Sequence, residues 1–171
     1  MTTFESKTNL RPGTSLGVTL RPPIAPPVAQ PETLMKTVQA AVLETDQESL
    51  RRVARPDAGV AYQPRTLLAL LTYCYAREIY GSEAVEDVMR RDLSFRQLCH
   101  NEFPDARLIR RFRRENREPL RSCLISALRF MAMKKLEAGV VTGVKEAHLI
   151  EEANRRIIMA MFIDNMELDS D

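Results

Sequence analysis

The 171-residue sequence predicts an all-α fold, a compact multi-helix domain, and three observations predict it. Glycine is scarce, with six residues, and tryptophan is absent, while Leu, Ala, Arg and Glu are abundant, a composition that favours helix. Beyond residue 31, apolar residues recur three and four positions apart through most of the chain, which is the helical period. No segment alternates apolar and polar residues in the way a half-buried strand requires. Apolar residues at 44% and charged residues at 28% are those of an ordinary globular protein.

Residues 1–31 read as a flexible leader. The stretch "RPGTSLGVTLRPPIAPPVAQP" holds six prolines, and Pro-Pro pairs favour extended conformations without internal hydrogen bonds. Val18, Leu20, Ile24 and Val28 could anchor such an arm on a partner. Residues 32–163 read as the helical domain and 164–171 as an acidic tail.

The first helix follows from "PETLMKTVQAAVLE", where Pro31 and Glu32 suit a first turn and Leu34, Met35, Val38, Ala41 and Val42 share a face. A second short helix is expected from Asp46, ended by Pro56 and Gly59. "YQPRTLLALLTYCYAREIYG" is the strongest helix. Pro64 fits its first position, where the missing N–H costs nothing. Leu67, Leu68, Leu70, Leu71, Cys74, Tyr75 and Ile79 cover most of its circumference, as a central buried helix requires. Gly81 is expected to end it. Ser82 and Ser94 then suit N-caps of "SEAVEDVMRRD" and "SFRQLCH", and Asp105 caps an arginine-rich helix. Pro119 either starts a new helix or kinks the old one. "PLRSCLISALRFMAMKKLEAG" follows, with Gly139 as its C-terminal stop. In the last helix Leu149, Ile150, Ala153, Ile157 and Met161 are the expected buried face.

A net charge of +2 hides an asymmetry. Between Arg96 and Arg121 stand eight arginines, whereas Asp164 to Asp171 hold four acids and no base. At 100° per residue, Arg107, Arg110, Arg111, Arg113, Arg114 and Arg117 fall on an arc of roughly 160°, opposite Leu108, Ile109 and Phe112. Such a helix can bury one face and present guanidinium groups on the other. Like charges at this spacing oppose helix formation, and a polyanion would offset that cost. Neighbouring acids offer the alternative: Glu83, Glu86, Asp87, Glu115 and Glu118 could neutralise a merely solvated face.

An ordered series of residues surrounds that helix. It runs Tyr62, Pro64, Arg65, Leu67, Leu68; Arg77, Ile79, Tyr80, Ser82; Arg91, Asp92, Leu93, Phe95, Arg96, Leu98; and Pro104, Asp105, Arg111, Phe112, Arg113, Arg114. From Tyr62 to about Leu124 this resembles the N-terminal helical domain of bacterial insertion-sequence transposases of the DDE type. The resemblance implies a helix-turn-helix-like module that takes part in recognising transposon ends, with the arginine helix approaching DNA. Two departures stand beside it. The family's catalytic domain opens with a strand bearing a metal-binding Asp, whereas here a further helix follows and Asp164, Glu167, Asp169 and Asp171 sit on a helix end or tail. No catalytic residue is therefore assigned. The family's arginine helix often carries Thr-Ile-Ser-Arg-Phe, where this chain has Leu108-Ile109-Arg110-Arg111-Phe112, a change that favours phosphate grip over base-specific contact.

Cys74, Cys99 and Cys123 are odd in number and widely spaced, which argues for a reducing compartment. Cys99-His100 lacks a second ligand pair at zinc spacing. Tyr62, Tyr73, Tyr75 and Tyr80 read as core, and His148 as surface. The N-terminus lacks a signal-peptide core and no run approaches a membrane span. No glycine loop for a nucleotide cofactor is present, so neither cofactor nor metal is expected. The expectation is a cytoplasmic, non-catalytic protein that binds double-stranded DNA through Arg107, Arg110, Arg111, Arg113, Arg114 and Arg117. A homodimer is compatible with it. The alternative is an interaction module whose arginines meet an acidic protein partner, with the leader as contact arm.

Overall fold

Prolines mark where three of the helices begin. Pro31 is the first residue of α1 (Pro31–Glu44), Pro64 the first of α2 (Pro64–Ala76), and Pro119 lies in the first turn of α6 (Arg117–Glu137). Each stands where the backbone N–H has no intrahelical acceptor to lose. The other helices are α3 (Ser82–Arg91), α4 (Leu93–Leu98), α5 (Ala106–Glu115) and α7 (Glu146–Leu168). This computed structural model describes residues 31–52, 62–99 and 103–168. Among them the fold is all-α, seven helices and no strand. The expected leader, with Val18, Leu20, Ile24 and Val28, lies outside the described residues, as do Pro56, Gly59 and His100.

α6 is the axis of the packing and touches α1, α2, α5 and α7; α3 packs on α4, α5 and α7. α2 is the central buried helix: every residue from Leu67 to Ala76 is buried. Each fully buried leucine there contributes about 1.5–3 kcal/mol relative to exposure. Leu34, Val38 and Val42 of α1 pack into the same core, with Val85 and Met89 of α3 and Leu120 and Leu124 of α6.

Several boundaries differ from expectation. From Asp46 the chain makes a turn instead of a helix, because the Asp46 side chain accepts the Glu48 N–H at 3.1 Å and its carbonyl accepts the Ser49 hydroxyl at 2.7 Å. Those local bonds compete with helix formation. α2 stops at Ala76, five residues before Gly81. Its last carbonyls are closed by Ile79 N–H on Cys74 (2.9 Å) and Glu78 N–H on Tyr75 (3.2 Å), with Glu78 at φ 64°. This is a Schellman ending with a glutamate in the left-handed position that glycine usually takes. α6 ends by the same device with the expected glycine: Gly139, at φ 71°, donates to Leu136 and Val140 to Lys135.

α7 departs furthest. Its buried residues are Leu149, Ala153, Arg156, Ile157, Ala160 and Asp164. Ile150 and Met161, expected inside, are 39% and 41% exposed. The helix is turned so that two charged side chains face inward, and each closes a helix end. Arg156 Nη1 donates to the carbonyls of Tyr75 (2.8 Å) and Ala76 (2.9 Å) at the end of α2. Asp164 accepts the Ser82 N–H and hydroxyl, both at 2.7 Å, at the start of α3. Ser82 is therefore not the N-cap; Gly81 holds that position without a side-chain bond, and the cap comes from another helix. A cation at one C-terminus and an anion at one N-terminus suit both dipoles. Asp164 consequently does not begin a tail, since α7 continues to Leu168.

Candidate nucleic-acid interface

The arginine helix starts where the sequence placed it. Asp105 Oδ1 accepts the Leu108 N–H at 2.7 Å, and Glu86 reaches across from α3 to accept the Ala106 N–H at 2.9 Å. Two of the free N–H groups of α5 are thus met by carboxylates, which also oppose the positive end of the helix dipole. Leu108, Ile109 and Phe112 are buried as the wheel requires.

The six arginines then part company. Arg107, Arg111 and Arg114 are exposed and Arg110 is half-buried. Arg113 is buried, 4% exposed, and does not belong to the open face. On the wheel it sits at the edge of the arc beside Ile109, and the packing of α7 closes over it. Its Nη1 donates to the Tyr75 hydroxyl at 2.9 Å and its Nη2 is ion-paired with Asp164. Burial works against the Arg113 charge, but Tyr75 and Asp164 more than offset it and hold its pKa above the ordinary range. Burial likewise pushes the Tyr75 hydroxyl up to about 12, with Arg113 acting the other way. Arg117 is exposed but stands at the start of α6. Asn116, at φ −120° and ψ 35°, breaks the helix before it, so the single wheel does not extend to Arg117.

Asn116 was not legible as a structural residue. It is buried, accepts the Arg51 N–H at 2.7 Å and donates to the Arg51 and Phe112 carbonyls at 3.1 and 3.2 Å. It ties the 46–52 turn to the α5–α6 junction.

The acids that could have neutralised the open face are mostly engaged elsewhere. Glu86 pairs with Arg90, Asp87 with Arg91 at 2.9 Å, and Glu118 with Arg121 at 2.5 Å. Of these acids Glu115 alone is ion-paired with an arginine of α5, Arg111, at 2.9 Å. Arg107, Arg114 and Arg117 form no ion pair with the described residues; Arg110 Nη1 is buried without a hydrogen-bond partner among them, and the Arg110 charge acts on Glu167.

The profile of the Transposase domain (DUF772) matches residues 29–115, just over half of the chain. The chain belongs to this transposase domain family. The match ends at Glu115, the last residue of α5, and α6 and α7 lie beyond the matched segment. No curated protein and no solved structure matches the chain.

The other candidate side chains of the chain lie in its core, apart from one at the surface. Cys74, Cys99 and Cys123 are buried. Burial raises the Cys74 thiol pKa well above its usual value, and that of Cys123 as well, so neither is a ready thiolate. Tyr62 is buried with its hydroxyl donating to the Phe103 carbonyl at 2.9 Å, and His148 is exposed. No group of three or more His, Cys, Asp or Glu among the described residues could hold a metal ion. No described helix is long and apolar enough to cross a membrane.

Proposed function

We propose that this transposase domain binds duplex DNA by gripping backbone phosphates with Arg107, Arg110, Arg111, Arg114 and Arg117, and that it contributes recognition without catalysis. The observation that carries this is the commitment of Glu86, Asp87 and Glu118 to other partners, while Arg107, Arg114 and Arg117 form no ion pair with the described residues. Arg107, Arg111 and Arg114 follow one another at four and three residues, a row about 10 Å long. At 3.4 Å of helix axis per nucleotide, such a row reaches about three phosphates of one strand. Guanidinium forks suit phosphate oxygens because they donate two parallel N–H bonds. The small hydroxyls that could have read base edges are replaced by Leu108 and Arg110. Leu108 is buried, so the grip is largely tolerant of sequence.

Charge reversal tests the reading. R107E, R111E and R114E combined are expected to abolish binding to a labelled duplex at low salt while leaving the far-UV circular dichroism of the chain unchanged. Unaltered duplex affinity in a folded triple variant would remove the arginine face from the account. An acidic protein partner in its place would show as recovery of that protein, free of nucleic acid, by the wild-type chain and not by the triple variant.

A further inference from the structure

The end of α7 brings two carboxylates toward the arginine helix. Asp164 caps Ser82 at the start of α3 and is ion-paired with Arg113. One helical turn further along α7 comes Glu167, and one turn back along α5 comes Arg110. The Arg110 charge acts on Glu167, as steps in opposite senses from one ion pair lead one to expect. On the helix wheel Arg110 stands between the exposed Arg114 and the buried Arg113.

Glu167 has a shaped seat. Its Oε1 lies 2.8 Å from where a β-carbon on Gly81 would stand, with Ile163 Cγ2 at 3.0 Å. Gly81 has φ −62° and ψ 140°, a conformation open to most residues, so its missing side chain serves for room. The seat is at the N-terminus of α3, where a carboxylate is favoured. Two atoms in the seam are nevertheless unmet. Arg110 Nη1 and Glu167 Oε2 are buried without a hydrogen-bond partner among the described residues, and a buried polar atom in that state costs free energy. Burial, Glu83 and Asp164 raise the Glu167 carboxyl pKa above its ordinary value, with Arg110 and Arg113 opposing them.

We infer that Glu167 is an internal competitor for DNA phosphate: seated against Gly81, it holds Arg110 back in the fold, and Arg110 joins the grip when that carboxylate is neutralised or moved away. The inference rests on the phosphate reading of the arginine face, and within it Arg110 is the member held in reserve. Arg107, Arg111 and Arg114 are exposed and meet the duplex without any such release. A phosphate offers the acceptor that Arg110 Nη1 lacks, in the two-pronged geometry a guanidinium prefers. The hold is a weak one, because Glu83 and Asp164 repel the same carboxylate that Arg110 attracts. Arg113, by contrast, is fixed by both Tyr75 and Asp164 and takes no part in the exchange.

Duplex binding is measured against salt concentration for the full chain and for its variants R110A, E167Q and E167Q/R110A, each checked for folding by circular dichroism. With Arg110 held back, R110A leaves the salt slope at the wild-type value. E167Q tightens binding and raises the magnitude of the slope by about 1, the mark of one further phosphate. Adding R110A to E167Q takes that gain away. A slope that already falls by about 1 in R110A alone shows Arg110 engaged from the outset and overturns the proposal. So does an E167Q without effect, or an E167Q gain that survives R110A, which is only the loss of one negative charge near the duplex. A wild-type slope near zero sinks the phosphate reading, and this inference with it. The coupling itself is read without DNA, by carboxyl-resolved NMR titration. R110A should raise the Glu167 pKa further, since it removes an opposing cation, and an unmoved Glu167 overturns the proposal whatever the duplex does.

Discussion

Two sets of arginines in this chain share a residue type and differ in everything else. Arg113 and Arg156 are buried, and their guanidinium groups are fully engaged: one by Tyr75 and Asp164, the other by Tyr75 O, Ala76 O, Glu78 and Glu152. Arg107, Arg114 and Arg117 are exposed and unpaired among the described residues. The first set fastens α7 across the α2–α3 corner; the second is free to meet a polyanion. Neighbouring positions on one helix, Arg113 and Arg114, fall in opposite sets because a helix advances 100° per residue and α7 packs on only one side.

The largest effect should come from breaking the buried set. Asp164→Ala strands the Arg113 charge and removes the cap from Ser82, and is expected to lower stability by about 3–5 kcal/mol in urea denaturation. A loss below about 1 kcal/mol, the usual worth of an exposed pair, would place Arg113–Asp164 with the surface pairs and blur the distinction. By contrast, Arg107→Ala or Arg114→Ala should change stability by no more than about 0.5 kcal/mol, measured in the same titration.

The buried set also carries a pH signature. Hydrogen bonds from Arg155 and then Arg156 hold the Glu152 carboxyl at about 2, below its ordinary 4.5. A group depressed in the folded state stabilises fully above its ordinary pKa and loses that contribution as pH falls. Melting temperature should therefore drop between pH 4.5 and about 2, and Glu152→Gln should flatten that part of the curve. Equal acid sensitivity in the variant would assign the drop to other carboxylates. The smallest effect is expected at Glu78, in the left-handed region at φ 64° and paired with Arg156 at 3.1 Å. Glu78→Gly removes the backbone strain and that pair, exposed only on its Glu78 side, together, for a net change within about 1 kcal/mol. A clear loss in thermal melting would give the Glu78–Arg156 pair more weight than its exposure suggests.

What could be read in the sequence was local. Pro64, Asp105 and Gly139 act on groups within five residues of themselves, and all three stand where their chemistry predicted. The apolar side of α5 followed from its period, and so did the exposure of Arg107, Arg111 and Arg114. Arg113 was misread because the residue that claims it, Asp164, is 51 positions away. α7 was misread for a related reason. Its second half is apolar around most of its circumference, so period alone could not choose a face. The choice is made by Arg156 and Asp164, whose partners on α2 and α3 lie about 80 residues earlier in the chain. Asp46 shows the converse, a residue whose own short side chain closed a turn before a helix could form. Of the six arginines, Arg107, Arg111, Arg114 and Arg117 are exposed, Arg110 is half-buried and Arg113 is buried. That Glu86, Asp87 and Glu118 are engaged with other arginines could be learned only from the pairing.

The central claim is that the open arginines neutralise DNA phosphates, and the salt dependence of duplex binding tests it most directly. With three to five phosphates engaged, the logarithm of the association constant should fall against the logarithm of salt concentration with a slope of about −3 to −4.5. Arg114→Ala should lower the magnitude of that slope by about 1. A wild-type slope near zero, or one left unchanged by Arg114→Ala, would contradict the account.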